Sequence, residues 1–232
     1  MLSQVRKWTN LARRSCLLCR LEPAYVSGLC RLCYTGLPWN KWACRKCARP
    51  LRQAATNLIC GACLATETPF ERILCPLRYD YPVDKVLHNF KFNSALHFGR
   101  LLGDLLADHI ATTLHHEPDY LVPVPLHENR LRERGFNHAN ELATRIAKNL
   151  NLPIKRNLCY RVKNTSYQTT LSAKRRRINL KNAFFAPECS SIKRIAIIED
   201  VVTTGSTVTE LAGTLRRAGI ENIDIWCVAR AE

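Results

Sequence analysis

Long apolar runs are missing from this chain of 232 residues. No stretch approaches the roughly 18–20 apolar residues that a bilayer-spanning helix needs. Residues 1 to 15 are basic and mixed and lack the continuous apolar core of a secretory signal. The expectation is a cytoplasmic protein with no membrane span. Acids are the second scarcity. Residues 1 to 63 hold one, Glu22, against eleven Lys and Arg, and residues 155 to 181 hold none against nine. The formal charge of +16 is therefore concentrated in two segments, and the remainder is slightly acidic. Such localised excess favours a polyanionic partner, nucleic acid first, through phosphate neutralisation and counterion release. A solvated basic surface is the plainer alternative. Two phosphate-binding signatures are also absent. No Gly-x-x-x-x-Gly-Lys-Ser/Thr and no Gly-x-Gly-x-x-Gly occurs, so neither a Walker A loop nor a dinucleotide-binding fingerprint is present.

Cysteine, by contrast, is abundant. Eight of the twelve form four Cys-x-x-Cys pairs: Cys16/Cys19, Cys30/Cys33, Cys44/Cys47 and Cys60/Cys63. Each pair presents two thiolates to one ion, and two pairs complete a tetrahedral Zn²⁺ site. A disulfide scaffold would require an oxidising compartment that nothing else in the chain supports. Four such pairs also exceed the needs of a redox dithiol. Two four-cysteine zinc ribbons in tandem are expected, with sequential or interleaved pairing of the knuckles both open. Two bound ions would reduce the charge of residues 1 to 63 from +10 to about +6, still basic. Cys75, Cys159, Cys189 and Cys227 are scattered and read as buried free thiols.

After the ribbons, strand and helix patterns alternate. "LRYDY" (77–81) reads as a strand, and Val83, Val86, Leu87 and Phe90 follow at helical spacing. A longer helix carries Leu101, Leu102, Leu105, Leu106 and Ile110. "LVPVPL" (121–126) reads as a buried strand, "HENRLRERGFN" (127–137) as a polar, basic loop, and Leu142, Ile146 and Leu150 as one face of a helix begun by Asn137 or His138. Ile195–Ile198 is a strand, Val208, Leu211, Ala212 and Leu215 share a helix face ended by Gly219, and "NIDIWCVAR" (222–230) is a final strand. This order predicts an α/β fold with a parallel sheet flanked by helices. The expected domains are a double zinc ribbon over 1–68 and an α/β domain over 69–232.

Ligands of such sheets sit beyond the carboxyl ends of the strands, where "IAIIEDVVTTGSTVTE" (195–210) falls. Thr203, Thr204, Gly205, Ser206 and Thr207 bring hydroxyls and backbone N–H groups together at a helix N-terminus, and Gly205 allows close backbone approach. That arrangement suits a phosphate. Glu199 and Asp200, just before it, can accept hydrogen bonds from vicinal hydroxyls and help hold hydrated Mg²⁺. A cradle for a monophosphate beside acids for a diol describes a ribose 5-phosphate.

The stretch resembles the phosphoribosyl pyrophosphate (PRPP) motif of type I phosphoribosyltransferases. With the Cys-rich ribbon, "VPVPLHENRLRERGFN" and "TSYQTTLSAKRRRINLKNAF" in this order, the chain resembles the ComF family (ComFC and GntX-like proteins) from Cys16 to the last strand. The resemblance implies a type I phosphoribosyltransferase-like domain and PRPP with Mg²⁺ as ligand. It places Arg132 and Arg134 in a pyrophosphate loop and Arg161, Thr165, Gln168, Leu171, Arg176 and Asn179 in a signature at the mobile active-site loop. The chain departs from the family at His138, where Gln is frequent. The resemblance also implies handling of single-stranded DNA during natural transformation, with competence-machinery proteins as partners. The alternative is a Mg²⁺-dependent phosphoribosyltransferase on an unknown acceptor without a DNA role. Lys174, Arg175, Arg177, Lys181, Arg45 and Lys46 are the candidate nucleic-acid contacts. Trp39 and Trp42 suit either base stacking or the ribbon core. No residue stands out as a general base.

Overall fold

The two most continuous apolar runs of the chain lie side by side at the centre of a parallel sheet. The computed structural model describes residues 15–52, 58–93, 95–164 and 180–231. They belong to two compact units, Met1–Leu37 and Pro38–Glu232.

In the smaller unit, isolated bridges Ser15↔Pro23 and Val26↔Leu29 shape a short ribbon. Helix α1 (Arg31–Thr35) follows, with Cys30 at its N-cap. Cys16 and Leu29 are fully buried there.

The larger unit begins with the second cysteine-bearing segment, which includes helix α2 (Gly61–Ala65). Its sheet contains β1 (Arg72–Leu74), β2 (Leu77–Arg78), β3 (Tyr120–Pro123), β6 (Arg194–Val202) and β7 (Asn222–Arg230), in the order β1-β7-β6-β3 with β2 also on β7. All of these pairings are parallel. A separate antiparallel pair joins β4 (Tyr160–Arg161) to β5 (Phe184–Phe185). The helices are α3 (Val83–Phe92), α4 (Leu96–Thr113), α5 (Glu128–Arg134), α6 (His138–Leu150) and α7 (Ser206–Arg217). The expected α/β architecture is the one found.

Alternation along the central strands explains why both faces must be covered. Ile195, Ile197, Ile223, Ile225 and Cys227 share one core cluster with Val208, Leu211, Ala212 and Leu215 of α7. Ala196, Ile198, Trp226 and Val228 point the other way and are equally buried, on the side of α4 and α6. The apolar stripes expected for α3, α4 and α7 are buried. In α6 the buried face includes Leu142 and Ile146 but not Leu150. The Arg145 guanidinium forks onto the Asp104 carboxylate at 2.5 and 2.8 Å, pinning α6 to α4. Asn137 caps α6, its side-chain oxygen accepting from the N–H groups of Ala139 and Asn140.

Three local expectations change. The polar loop expected at 127–137 contains α5. His127 Nδ1 accepts from Asn129 N at its start, and Gly135, at φ 77°, ends it. Residues 128–134 have no Gly or Pro and are rich in Glu and Arg, which lose little rotamer freedom in a helix. Polarity alone hid the helix. The strand expected at 77–81 stops at Arg78, because Pro82 is already the N-cap of α3. β1 adds a short strand whose sequence carries no strong alternation to announce it. Among the described residues no helix is long and apolar enough to cross a membrane.

Candidate functional site

Thiolates at 2.3 Å from a tetrahedral Zn²⁺ place neighbouring sulfurs about 3.8 Å apart. The sulfurs of Cys16, Cys19, Cys30 and Cys33 lie within 4.8 Å of one another, as do those of Cys44, Cys47, Cys60 and Cys63. Cys19 Sγ is 3.8 Å from Cys30 Sγ, and Cys47 Sγ is 3.7 Å from Cys60 Sγ. Both sets fit a metal ion such as zinc, and the knuckles pair sequentially rather than interleaved. Burial pushes the Cys16 and Cys44 thiols up, but backbone N–H groups outweigh it and bring them down to about 6 and about 7. Cys33 goes the other way, to about 12, through burial and the neighbouring thiols. A divalent ion removes that repulsion by binding all four as thiolates.

The second site is a cavity of about 310 Å³ at the carboxyl end of β6, lined also by the ends of α3 and α5 and the start of α6. Glu199, Asp200 and the turn Thr203–Thr207 all line it. Gly205 precedes α7 with φ 79° and ψ 0°, a left-handed conformation that glycine adopts without strain. That turn folds the hydroxyls inward: Thr204 Oγ1 and Ser206 Oγ are 2.9 Å apart. The first N–H groups of α7 have no helical carbonyl to meet, so this end of the cavity favours an anion.

Charge enters from elements that sequence reading did not connect to the acids. Lys91, in the last turn of α3, reaches Asp200 Oδ1 at 2.9 Å. His138 is buried and its Nε2 is 3.1 Å from the Lys91 carbonyl. Burial lowers its pKa, against the opposing influence of Asp200, so the neutral ring donates that bond and positions the end of α3. Asn137 Nδ2 donates to the Val124 carbonyl at 3.0 Å, tying the exit of β3 to α6. Arg130 and Arg134 also line the cavity, and the Arg134 guanidinium lies 5.4 Å from the Phe92 ring centroid. Lys91 stands over one hundred residues before Asp200, so no local spacing could have announced the pair.

Glu199 is pushed up to about 8, first by burial and then by the adjacent Asp200 charge, with Lys91 and Arg161 pulling partly back. Its native value lies above the ordinary 4.5, so the stability tied to its proton is complete below about 4.5 and is lost as pH rises through about 8. Glu199→Gln, neutral throughout, should match wild type near pH 4 and exceed it by roughly 2 kcal/mol at pH 9, after allowance for a side chain that is only half-buried. Urea denaturation at both pH values tests this. A gap that does not widen with pH would show that Glu199 ionises freely.

The remaining predicted residues divide. Arg161, on β4, lines the cavity beside Phe184. Arg132 does not; its side chain is 79% exposed and pairs with Glu128. Arg45 and Lys181 are exposed and Lys46 is half-buried. Thr165, Gln168, Leu171, Lys174, Arg175, Arg176, Arg177 and Asn179 lie outside the described residues. Trp42 is 48% exposed, whereas Trp39 is half-buried and bridges to Leu77.

No family model matches the chain. Competence protein F of Haemophilus influenzae is 35% identical over 230 residues, covering 96% of this chain and 99% of that protein. DNA utilization protein YhgH of Escherichia coli strain K12 is 33% identical over 220 residues, covering 93% and 96%. Its counterpart in Salmonella typhimurium is 35% identical over 222 residues, covering 88% and 98%.

Proposed function

The chain belongs to the ComF family, and from that premise we propose that it handles single-stranded DNA during natural transformation and holds a PRPP-like ligand in the cavity at the end of β6. The observation that carries the ligand is the convergence of Glu199, Asp200 and the Thr203–Thr207 turn on one cavity with Arg130, Arg134 and Lys91. The turn takes the 5-phosphate, the two acids take the ribose hydroxyls, and the cationic side chains face the diphosphate. Mg²⁺ bound with the diphosphate supplies charge neutralisation for its departure. In this reading residues 1–68 carry two zinc ions and much of the basic charge, and residues 69–232 carry the ligand pocket. Arg45, Lys46, Lys181 and the basic run 174–177 are the DNA contacts, the protein works in the cytoplasm, and competence-machinery proteins are its partners. The names borne by the relatives support the DNA role.

A second reading is a Mg²⁺-dependent phosphoribosyltransferase on an unknown acceptor, without a DNA role. What favours it is the paired Lys91–Asp200 at 2.9 Å. Such a pair can open to admit a diol and release a cation toward a leaving diphosphate.

One set of measurements separates the two. Single-stranded DNA should bind wild-type protein at low salt without strong sequence preference, and affinity should fall steeply as salt rises. Neutralising Lys174, Arg175, Arg176 and Arg177 together should flatten the salt slope by roughly 0.7 for each phosphate that is no longer neutralised. PRPP binding is measured on the same variant, since Arg176 is also a pocket candidate. Wild-type protein that ignores single-stranded DNA at low salt yet releases pyrophosphate from PRPP with Mg²⁺ would overturn the first reading in favour of the second. No binding of PRPP or ribose 5-phosphate at millimolar concentration would remove the pocket assignment from both.

A further inference from the structure

Arg230, the last residue of β7, is 3% exposed, an expensive place for a guanidinium unless its donors are satisfied. Its Nε and Nη1 donors meet main-chain carbonyls. Nε donates to the Cys47 carbonyl at 3.0 Å. Nη1 donates to the carbonyls of Val202 at 2.8 Å, of Thr203, and of Ala231 at 2.8 Å. One side chain thus grips two places that are far apart in sequence. Cys47 is a member of the second cysteine cluster. Val202 and Thr203 are the residues at which β6 ends and the turn into α7 begins.

We propose that Arg230 is a positioning residue that couples metal occupancy of the Cys44/Cys47/Cys60/Cys63 cluster to the shape of the Thr203–Thr207 turn. The metal holds the Cys47 knuckle through its sulfur, and the Cys47 carbonyl is fixed with it. Arg230 carries that placement to the Thr203 carbonyl. The peptide planes on either side of Thr203 set where the following hydroxyls and the left-handed Gly205 point. Without the ion, the carbonyl anchor of Nε moves, and a buried fork that must keep its donors bonded moves with it. A lysine cannot replace it, since a single ammonium cannot span the same acceptors with a rigid planar fork. The second ribbon is bound to the sheet at other points too: Ile73 N donates to the Lys46 carbonyl at 2.9 Å, and Asn40 N donates to the Pro76 carbonyl at 2.8 Å. Neither of these ends at the turn, as the Arg230 link does. That the turn binds a phosphate rests on the proposed function; the coupling between cluster and turn does not.

Hydrogen–deuterium exchange of the full chain tests the coupling without any ligand, so failure of PRPP binding and failure of this inference are separate outcomes. The readout is exchange over 202–208 relative to exchange over 195–198 in the same β6 strand, which corrects for any general loss of stability. Arg230→Gln, loaded with zinc, should exchange about tenfold faster over 202–208 relative to 195–198, and Arg230→Lys should recover only part of that protection. Zinc removal from wild type by chelation should raise the same ratio. Zinc removal from Arg230→Gln should raise it no further, because the link is already cut. The two effects should be non-additive in this sense. An unchanged ratio in zinc-loaded Arg230→Gln would overturn the proposal. So would a ratio that still responds to chelation in that variant as strongly as in wild type.

Discussion

Replacing Cys44 by serine should release one of two zinc ions and lower the melting temperature of the larger unit by roughly 10 °C. A structural four-thiolate site binds zinc with an apparent free energy on the order of 10 kcal/mol. Part of that is recovered when the knuckles still pack without metal. A net loss of about 3 kcal/mol corresponds to several degrees up to about 12 °C in a unit of this size. The loss reaches the sheet because the second knuckle is built into it: Cys47 and Lys46 offer carbonyls to Arg230 and Ile73, and Cys44 is itself fully packed, its carbonyl accepting from the N–H of Ala48, which is 3% exposed. Cys16→Ser should also release one ion but leave the main thermal transition in place, since the first cluster belongs to the unit Met1–Leu37. Metal analysis alongside calorimetry checks both variants. Equal effects of the two substitutions on the main transition would contradict this division of labour, and fewer than two zinc ions in freshly prepared wild type would contradict the assignment of the metal.

Asp200→Ala should separate two parts of the proposed ligand. In wild type the Asp200 carboxylate is paired with Lys91 at 2.9 Å and buried. In the proposed reading, removing it loses the hydrogen bonds to the ribose hydroxyls, worth about 2–3 kcal/mol for a charged acceptor, so ribose 5-phosphate should bind roughly 30- to 150-fold more weakly. The same change takes away the carboxylate that neutralises the Lys91 ammonium at the cavity wall. Inorganic pyrophosphate, which has no hydroxyls to lose and meets a less neutralised cation, should bind at least as well as to wild type. The sign of the effect therefore differs between two anionic ligands. Titration calorimetry with each ligand reads it directly. A parallel loss for both would mean that Asp200 supports the fold of the site and not the sugar. Thr204→Ala provides the complement, because it removes the hydroxyl that meets Ser206 from the phosphate end and should weaken ribose 5-phosphate while sparing the Asp200–Lys91 pair.

Much of this protein was determined by sequence alone, for reasons of period and local chemistry. Unbroken apolar runs mark strands that are covered on both faces, and Ile195–Ile198 and Ile225–Val228 behave so. Helical stripes such as Val83, Val86, Leu87 and Phe90 have one face to bury and bury it. Four Cys-x-x-Cys pairs leave little chemistry other than metal, and the acids followed by a hydroxyl-rich turn mark a strand end adjoining a helix N-terminus, where the structure places them. These signals are local: each depends on residues a few positions apart. Polarity, which is local but not periodic, misled at 128–134, where an exposed helix has no apolar stripe to reveal it.

What only the tertiary structure decided depends on contacts between residues distant in the chain. Sequential pairing of the knuckles required the sulfur positions, since thiolate spacing along the chain permits either set. The inclusion of the second cluster in the larger unit, Pro38–Glu232, follows from bonds such as Arg230 to Cys47, 183 residues apart. The approach of Lys91 to Asp200, the inward placement of Arg134 and the outward placement of Arg132 depend on where α3 and α5 are carried by the sheet. A sequence states which groups are available and how a few neighbours will fold. Which of them meet across the fold is settled by the packing of whole elements, because burial energy is shared over the assembled core rather than held in any one segment.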